Sequence, residues 1–423
     1  MQIFFFLIAF LVTYLPVSAC AQAEAPRPGF HPYISLVEEY NDNINLTSKN
    51  EKDDFITTVK PGLKYTNTDA AAGIELDFNA GFVFYGKETD NNYVSHNASL
   101  TAKYLTRSHF NFYLKESFIR SDEQREREYF TTIEQNQYVL AQREEKVVYW
   151  RNVVAPTVEY QFGQEDRIGV NYRNNIYRSE GRTYEDSDEN YINPYIDYWF
   201  DRKNGLRLEY GYTMGEFERS PDMTAHMASA RYTHRVTLKT SLFAGYTFTQ
   251  RSFDPPSIDY DIHEPVLGFT YAFSPTLNAS VQAGYFWQEP EEGNGTDGFS
   301  YKASITNLGD ARTTYIFSLQ GGYTEDYFTS ENLGFNRYHR LTGSLKHFLE
   351  RRFSLGFTGS VERVEYESED RKDWIWGVGG NLSYTPLKWL EISLEVSHRE
   401  NNSDVDTNDY KENRGIIRLT ATY

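Results

Sequence analysis

Cysteine is almost absent: one residue in 423, Cys20, leaves no disulfide framework and little scope for thiol chemistry. Long apolar runs are scarce too. The one at residues 3–15 stops at Pro16 and is too short to span a bilayer as a helix. With 39% hydrophobic residues and a mean hydropathy of −0.63, the chain is too polar for a helical membrane protein. Basic charge is in deficit, since 42 Lys and Arg face 60 Asp and Glu for a net −18. That balance argues against binding nucleic acid or anionic headgroups through a broad basic surface. No segment carries a helical stripe beyond three turns. There is no Gly-x-Ser-x-Gly, His-Glu-x-x-His, Walker loop or Gly-x-Gly-x-x-Gly, so neither an enzyme nor a cofactor is expected. A propeller's blade-length repeat is missing as well.

Aromatics, by contrast, are plentiful: 34 Tyr and 29 Phe contribute to an aromatic share of 16%. A polar average with many aromatics suits a wide barrel with lipid outside, water inside and aromatic girdles at both interfaces. A soluble sandwich array or propeller has a similar composition, so the pattern along the chain must decide. That pattern is two-residue alternation in segments of roughly ten residues, the length that spans a membrane when tilted. Leu277, Ala279, Val281, Ala283, Tyr285 and Trp287 alternate with polar partners, interrupted only by Phe286. Leu390 to Val396 alternates with Glu391, Ser393, Glu395 and Ser397, and Ile74 to Phe84 with Glu75, Asp77, Asn79 and Gly81. Leu206 to Met214 alternates with Arg207, Glu209, Gly211 and Thr213.

Two kinds of connection take turns. Short ones, such as 163–166, 201–204, 274–276, 309–310 and 350–351, are rich in turn residues. Longer acidic ones fall at 179–190, 289–298, 365–373 and 400–412. Strict alternation of this kind predicts an up-and-down transmembrane antiparallel β-barrel with short periplasmic turns and long external loops. The count from Phe30 is about twenty strands, or eighteen if the weak segment 223–233 merges with a neighbour. One feature fits less well. Pro61, Pro156, Pro194 and Pro265 each lie within a strand, with Tyr65, Tyr160, Tyr198 and Phe269 four positions on. Proline lacks a ladder donor, so these sites predict bulges or loosened pairing at one shared level of the wall.

The chain ends Gly415-Ile-Ile-Arg-Leu-Thr-Ala-Thr-Tyr423, with Ile417, Leu419, Ala421 and Tyr423 on one strand face. A terminal strand needs a partner, and pairing with the first strand closes the barrel. The ending resembles the insertion signal of bacterial outer-membrane barrels. At the other end, residues 1–23 read as a secretory signal peptide cleaved after Ala23, although no Lys or Arg precedes the apolar run. Val17-Ser18-Ala19-Cys20 also resembles a lipoprotein processing site. A short lead, 24–29, then precedes one barrel domain, 30–423.

Candidate sites are few. His96, His263 and His398 stand singly near outer strand ends and read as lumen or rim residues. Asp404-Val405-Asp406-Thr407-Asn408 opens like a calcium loop but lacks the required Gly and Glu, so it is no EF-hand. Glu391 with Glu395, and Glu75 with Asp77, share strand faces. With Arg207, Lys60 and Lys64 on other inward faces, a hydrated charged lumen accounts for them better than acid–base catalysis. The longest loop, about 121–146, carries Arg120, Arg125, Arg127 and Arg143. It reads as a solvated external loop, with an inward fold that narrows the pore as the alternative.

The first hairpin is the most specific stretch: Pro32-Tyr33-Ile34-Ser35-Leu36, Glu39-Tyr40-Asn41-Asp42-Asn43-Ile44, Asp53-Asp54-Phe55-Ile56 and Pro61-Gly62-Leu63. It resembles the putative β-barrel porin 2 family, whose members begin with similar Tyr-x-Asp-Asn, Asp-Asp-Phe-Ile and Pro-Gly segments. Tyr40, Asp42, Asn43, Asp54, Phe55, Pro61 and Gly62 carry the motif. Physically they read as residues that shape the hairpin, with Asx side chains capping the ends of the first external loop. The resemblance implies an outer-membrane channel or assembly factor linked to exopolysaccharide production or exosortase-type sorting, with no catalytic residue. The expected protein is thus a porin-like outer-membrane barrel of a Gram-negative-type bacterium that passes polar solutes. Its expected partners are outer-membrane lipid, the barrel-assembly machinery, and polysaccharide or export-system proteins, with no nucleic acid. A non-conducting scaffold barrel and a secreted carbohydrate-binding β-protein are the alternatives. Phe243 and Phe286, on inward faces, are candidates for stacking on sugars or simply for filling space.

Overall fold

Alternating faces force a choice on every strand, and below the long-loop rim the prevailing choice is apolar side chains out, polar side chains in. The computed structural model describes residues 28–122, 147–180, 184–308, 312–328, 332–367 and 370–423. The signal-peptide and Cys20 readings, and most of the 121–146 loop, lie outside the described residues. The chain forms β1 (Gly29–Asn41), β2 (Asp54–Thr68), β3 (Ala72–Tyr85), β4 (Tyr93–Leu105), β5 (Phe110–Ser121), β6 (Tyr149–Gln161) and β7 (Arg167–Ser179). It continues through β8 (Ser187–Trp199), β9 (Asn204–Phe217), β10 (Met223–Arg235), β11 (Thr240–Phe253), β12 (Tyr260–Ala272), β13 (Leu277–Pro290) and β14 (Asp297–Asn307). The last six are β15 (Thr313–Asp326), β16 (Gly334–Glu350), β17 (Phe353–Tyr366), β18 (Arg371–Leu387), β19 (Leu390–Ser403) and β20 (Tyr410–Thr422). Segment 223–233 is a full strand, so the count is twenty and not eighteen.

Each strand pairs antiparallel with its chain neighbours, and β20 pairs with β1, which closes the barrel. In that seam Leu36 faces Leu419 and Ser35 faces Thr420, whose hydroxyls meet at 2.8 Å. Ile417 and Leu419 face outward at 37% and 39% exposure, while Ile416, on the opposite face, is buried inside at 7%.

The strands are longer than the roughly ten residues expected, at 11 to 17. The acidic stretches at 187–190, 289–290, 365–366 and 400–403 belong to strand ends. Acidic side chains report contact with water, and a ladder can continue into water above the hydrocarbon; composition therefore overstated the loops.

All four wall prolines sit on outward faces, and each leaves the ladder intact on one side only. Pro61, Pro156, Pro194 and Pro265 stay paired to the preceding strand. Toward the following strand, pairing lapses for two residues and resumes in the same register: Val59↔Phe82 then Gly62↔Asn79, and Ile192↔Tyr212 then Tyr195↔Glu209. These are loosened seams, not bulges. Opposite Pro194 the carbonyl of Tyr210 has no proline N–H to accept from, and the Asn193 amide donates to it instead at 3.0 Å.

Two aromatic belts mark the outer surface. Near the short turns lie Phe30 against Tyr65 and Phe110 against Tyr160. Toward the long loops lie Tyr40 against Phe55 and Trp287 against His263. The histidines expected at the lumen or rim face outward. Tyr246 OH meets His263 Nδ1 at 2.6 Å, and His398 packs on Trp376. His96 shares the outward face of Ala80 and Arg120.

A packed mouth above a charged lumen

Inward faces differ between the two ends of the barrel. Near the long-loop rim they are buried, with apolar clusters of Ile44, Ile56, Val83 and Tyr85, and of Ile119, Tyr149 and Tyr177. Two further clusters come from a feature that alternation does not predict.

The outer end of the β15–β16 hairpin bends into the barrel. β15 stays paired to β14 as far as Gly321↔Tyr301, then leaves it at Gly322, whose φ of +146° suits glycine. Pairing with β16 continues to Asp326↔Gly334, so the two strands move together. Tyr323 and Phe335 stack on each other, with ring centroids 5.4 Å apart, and both pack on Phe286 of β13. Glu325 takes a bidentate pair from Arg251 of β11, Nε at 2.9 Å and Nη2 at 2.6 Å, and Tyr260 OH donates to it at 2.7 Å. Beyond the strand, Tyr327 OH lies 2.6 Å from Tyr260 OH, and burial pushes the Tyr327 phenol above its ordinary value. Phe328 reaches Phe217 of β9, ring to ring at 5.3 Å, and is 7% exposed. On the other flank Leu333 packs against Val364 and Tyr366 of β17. The outer end of the hairpin therefore reaches from β17, through Leu333, to β9, through Phe328, on the inside of the mouth.

This explains Phe286, the residue that breaks the alternation of β13. It is 1% exposed and supports the bent hairpin. Phe243 is also buried, with its ring over Gly268 on the next strand, where a Cβ would come within 2.3 Å of it. Both rings fill space and neither is open to a sugar.

Lower down, the lumen wall is polar. Arg207, Lys60, Lys64, Glu75, Asp77, Glu391 and Glu395 all fall on inward faces, as the alternation requires. Arg167 and Arg207 share Asp197, at 2.7 and 3.2 Å. Tyr195 OH donates to Glu159 with its ring over Gly169, and Tyr33 likewise covers Gly62 and donates to Asp77 at 2.7 Å.

The hairpin-motif residues divide between the β1–β20 seam, where Asp42 and Asn43 lie, and β2, which carries Asp54, Phe55, Pro61 and Gly62. Tyr40 and Phe55 form an outward ring pair. Asp42 accepts from the backbone N–H and the side-chain amide of Asn413, both at 2.6 Å. Asn43, fully buried, donates to the carbonyls of Thr47 (2.8 Å) and Lys411 (3.0 Å) and accepts from Thr47 N–H. Asp54 accepts from the N–H groups of Phe55, Lys87 and Glu88. Pro61 loosens the β2–β3 seam and Gly62 lies beneath Tyr33. Ala421 and Tyr423 continue the outward face of β20, and Tyr423 N–H donates to Pro32 O at 2.9 Å. In the 404–409 loop, Asp404 and Asp409 accept from the backbone amides of Lys372 and Ser403. Among the described residues no three potential metal-ligating side chains gather.

Closed antiparallel strands, outward apolar faces, paired aromatic belts and a polar interior define a β-barrel of the outer-membrane type. Residues 218–423 match the model of the putative beta-barrel porin 2 family, the family that the first hairpin resembles. The match covers β10 to β20 and leaves out the motif residues at 32–63. No curated protein matches the chain. Among solved structures it is similar to the ferric citrate transporter FecA in its unliganded form (10% identity, TM-score 0.50, 95% of this chain and 79% of that one). Also similar are the siderophore receptor PirA from Pseudomonas aeruginosa (9%, 0.49, 95% and 81%) and the outer membrane protein OpdK from Pseudomonas aeruginosa (12%, 0.42, 93% and 99%). At these identities the likeness is one of fold. The family and these relatives are porins, transporters and receptors, not enzymes.

Proposed function

We propose that the protein is an outer-membrane channel for polar solutes whose long-loop mouth is gated by the β15–β16 hairpin. The observation that carries this is the contrast between a polar lumen wall and a packed mouth, where a hairpin laddered to β17 is held to β9–β13 by side chains alone. Twenty strands enclose more space than wall side chains can fill, so the interior below the mouth holds water. The family resemblance supports a polysaccharide on its way out of the cell as the solute. Tyr423 and the outward apolar face of β20 support recognition by the barrel-assembly machinery, after export through a signal peptide.

Single-channel recording on the refolded barrel tests the gate. The expected record is brief, infrequent openings, replaced by long steady ones when residues 323–335 are exchanged for a short turn. The packed mouth also favours a second reading, a non-conducting scaffold barrel. A folded, membrane-inserted barrel that stays silent even after that exchange would establish it over the channel.

A further inference from the structure

Counting inward from the short-turn rim, the fifth or sixth residue of each strand forms a ring around the lumen. Six of these twenty positions are cations: Lys64, Lys115, Arg231, Lys302, Lys346 and Arg418. All six face inward by register. Lys64 stands opposite His31 and Asp77, Arg231 lies over the Phe243 ring at 3.6 Å, and Arg418 flanks the outward pair Ile417 and Leu419. None is buried. None makes an ion pair with another described residue.

Three carboxylates share the ring: Glu209 is taken up by Arg207 one step nearer the rim, while Asp77, across from Lys64, accepts from the neutral Tyr33 OH and keeps its charge. Asp77 and Glu395 are left to offset the six, which leaves an excess of four positive charges. A chain with a net charge of −18 therefore keeps an excess of positive charge at one level of its lumen. Like charges without ion-pair partners at one level of the lumen repel one another, and the low-dielectric wall strengthens the field they produce. Carboxylates are abundant in this chain, yet they do not neutralise the ring. Mobile anions must.

We infer that this ring is a binding and selection site for anionic solutes, those bearing several carboxylate or phosphate groups. Spaced cations around a water-filled lumen hold a flexible polyanion through several weak contacts, each exchangeable, which permits passage as well as binding. A neutral glycan gains nothing from them. The inference deepens the channel reading by naming a solute class, and it needs only an accessible lumen.

The test is reversal potential in a potassium chloride gradient across a bilayer holding the refolded full barrel. Chloride is expected to permeate more than about twice as well as potassium, and the ratio is expected to fall to about one or below in K115Q/R231Q/K302Q. Oligogalacturonate is expected to interrupt the current where maltooligosaccharide of the same length does not, with about tenfold weaker block in the triple variant. Cation preference, or an unchanged ratio in the variant, overturns the inference while leaving the channel intact. If the barrel does not conduct, the channel reading fails, and calorimetric titration of oligogalacturonate into the detergent-solubilised barrel decides the site. Binding lost in the variant upholds it, and no binding overturns it. R231Q and K302Q singly replace the triple variant if it does not refold.

Discussion

At the residue scale, what matters most is what lies directly across the strand. Gly62 works because Tyr33 lies flat over it: a Cβ there would stand 2.2 Å from the Tyr33 Cζ. Gly62→Val should push the ring aside, break its bond to Asp77 and cost about 1–3 kcal/mol. The check is the temperature at which the refolded barrel loses its compact gel mobility, which should fall, and fall less for Tyr33→Phe. The Arg251–Glu325 pair is a second such contact, with side chains only 15% and 13% exposed. Glu325→Gln leaves the guanidinium facing a neutral amide in a largely dry setting, at a cost of about 1–3 kcal/mol after allowing for residual solvent. Amide exchange at Tyr323 to Asp326 should quicken while the wall strands stay protected. Of the bent hairpin's contacts, the sequence announced only the odd placement of Phe286. Its partners lie some forty residues on, with nothing in the local pattern to connect them.

At the element scale, strands were readable because each repeats one rule for a dozen residues. The bent hairpin was not, because it breaks that rule in a way only its surroundings justify. Gly322 looks like any strand glycine, and Tyr327 and Phe328 look like loop residues until β9 and β12 are placed beside them. Phe328→Ala removes the anchor farthest from the hinge. It should lengthen channel openings without altering their conductance, since the ring supports the closed position and does not line the lumen wall; single-channel dwell times check this. The short turns offer a pH handle. Asp69 accepts from the amides of Ala72 (2.6 Å) and Ala71 (2.7 Å), which hold its carboxyl below the ordinary range. Asp201 is lowered by the Asn204 side chain and by the Lys203 and Asn204 amides. A depressed folded pKa means the stabilisation is fully present above the ordinary aspartate value, near about 4, and is lost as pH falls through the lower folded value. Protection factors at those amides should therefore be high at neutral pH and collapse in strong acid. Asp69→Asn should remove most of the pH dependence at its own turn and none at Asp201.

At the scale of the whole molecule, closure depends on residues that are ends in sequence and neighbours in space. Asn43 ties the first loop to Lys411, and Arg414 forks onto Glu39 with both contacts at 2.9 Å. Asn43→Ala strands buried backbone groups at a cost of about 1–3 kcal/mol. The β1–β20 seam should then open first, seen as early deuterium uptake in both terminal strands and a lower temperature of mobility loss. The closed, twenty-strand outline was legible from the alternation of turns and loops together with the pattern of the last strand. The packing at the mouth was not, because which inward residues are buried depends on what crosses above them.

The one-sided gaps at the four prolines bear on shape. A sheet held by continuous ladders around its circumference resists ovalisation, because flattening it strains hydrogen bonds at every seam. Here the seams β2–β3, β6–β7, β8–β9 and β12–β13 each lack pairing over two residues in mid-wall, with the register kept on either side. They act as creases. The cylinder can change its cross-section at those lines with fewer ladder bonds to strain, the Asn193–Tyr210 contact being the one side-chain tie described across the β8–β9 gap, so a bulky polymer threading the lumen would find walls that yield by folding along creases already present.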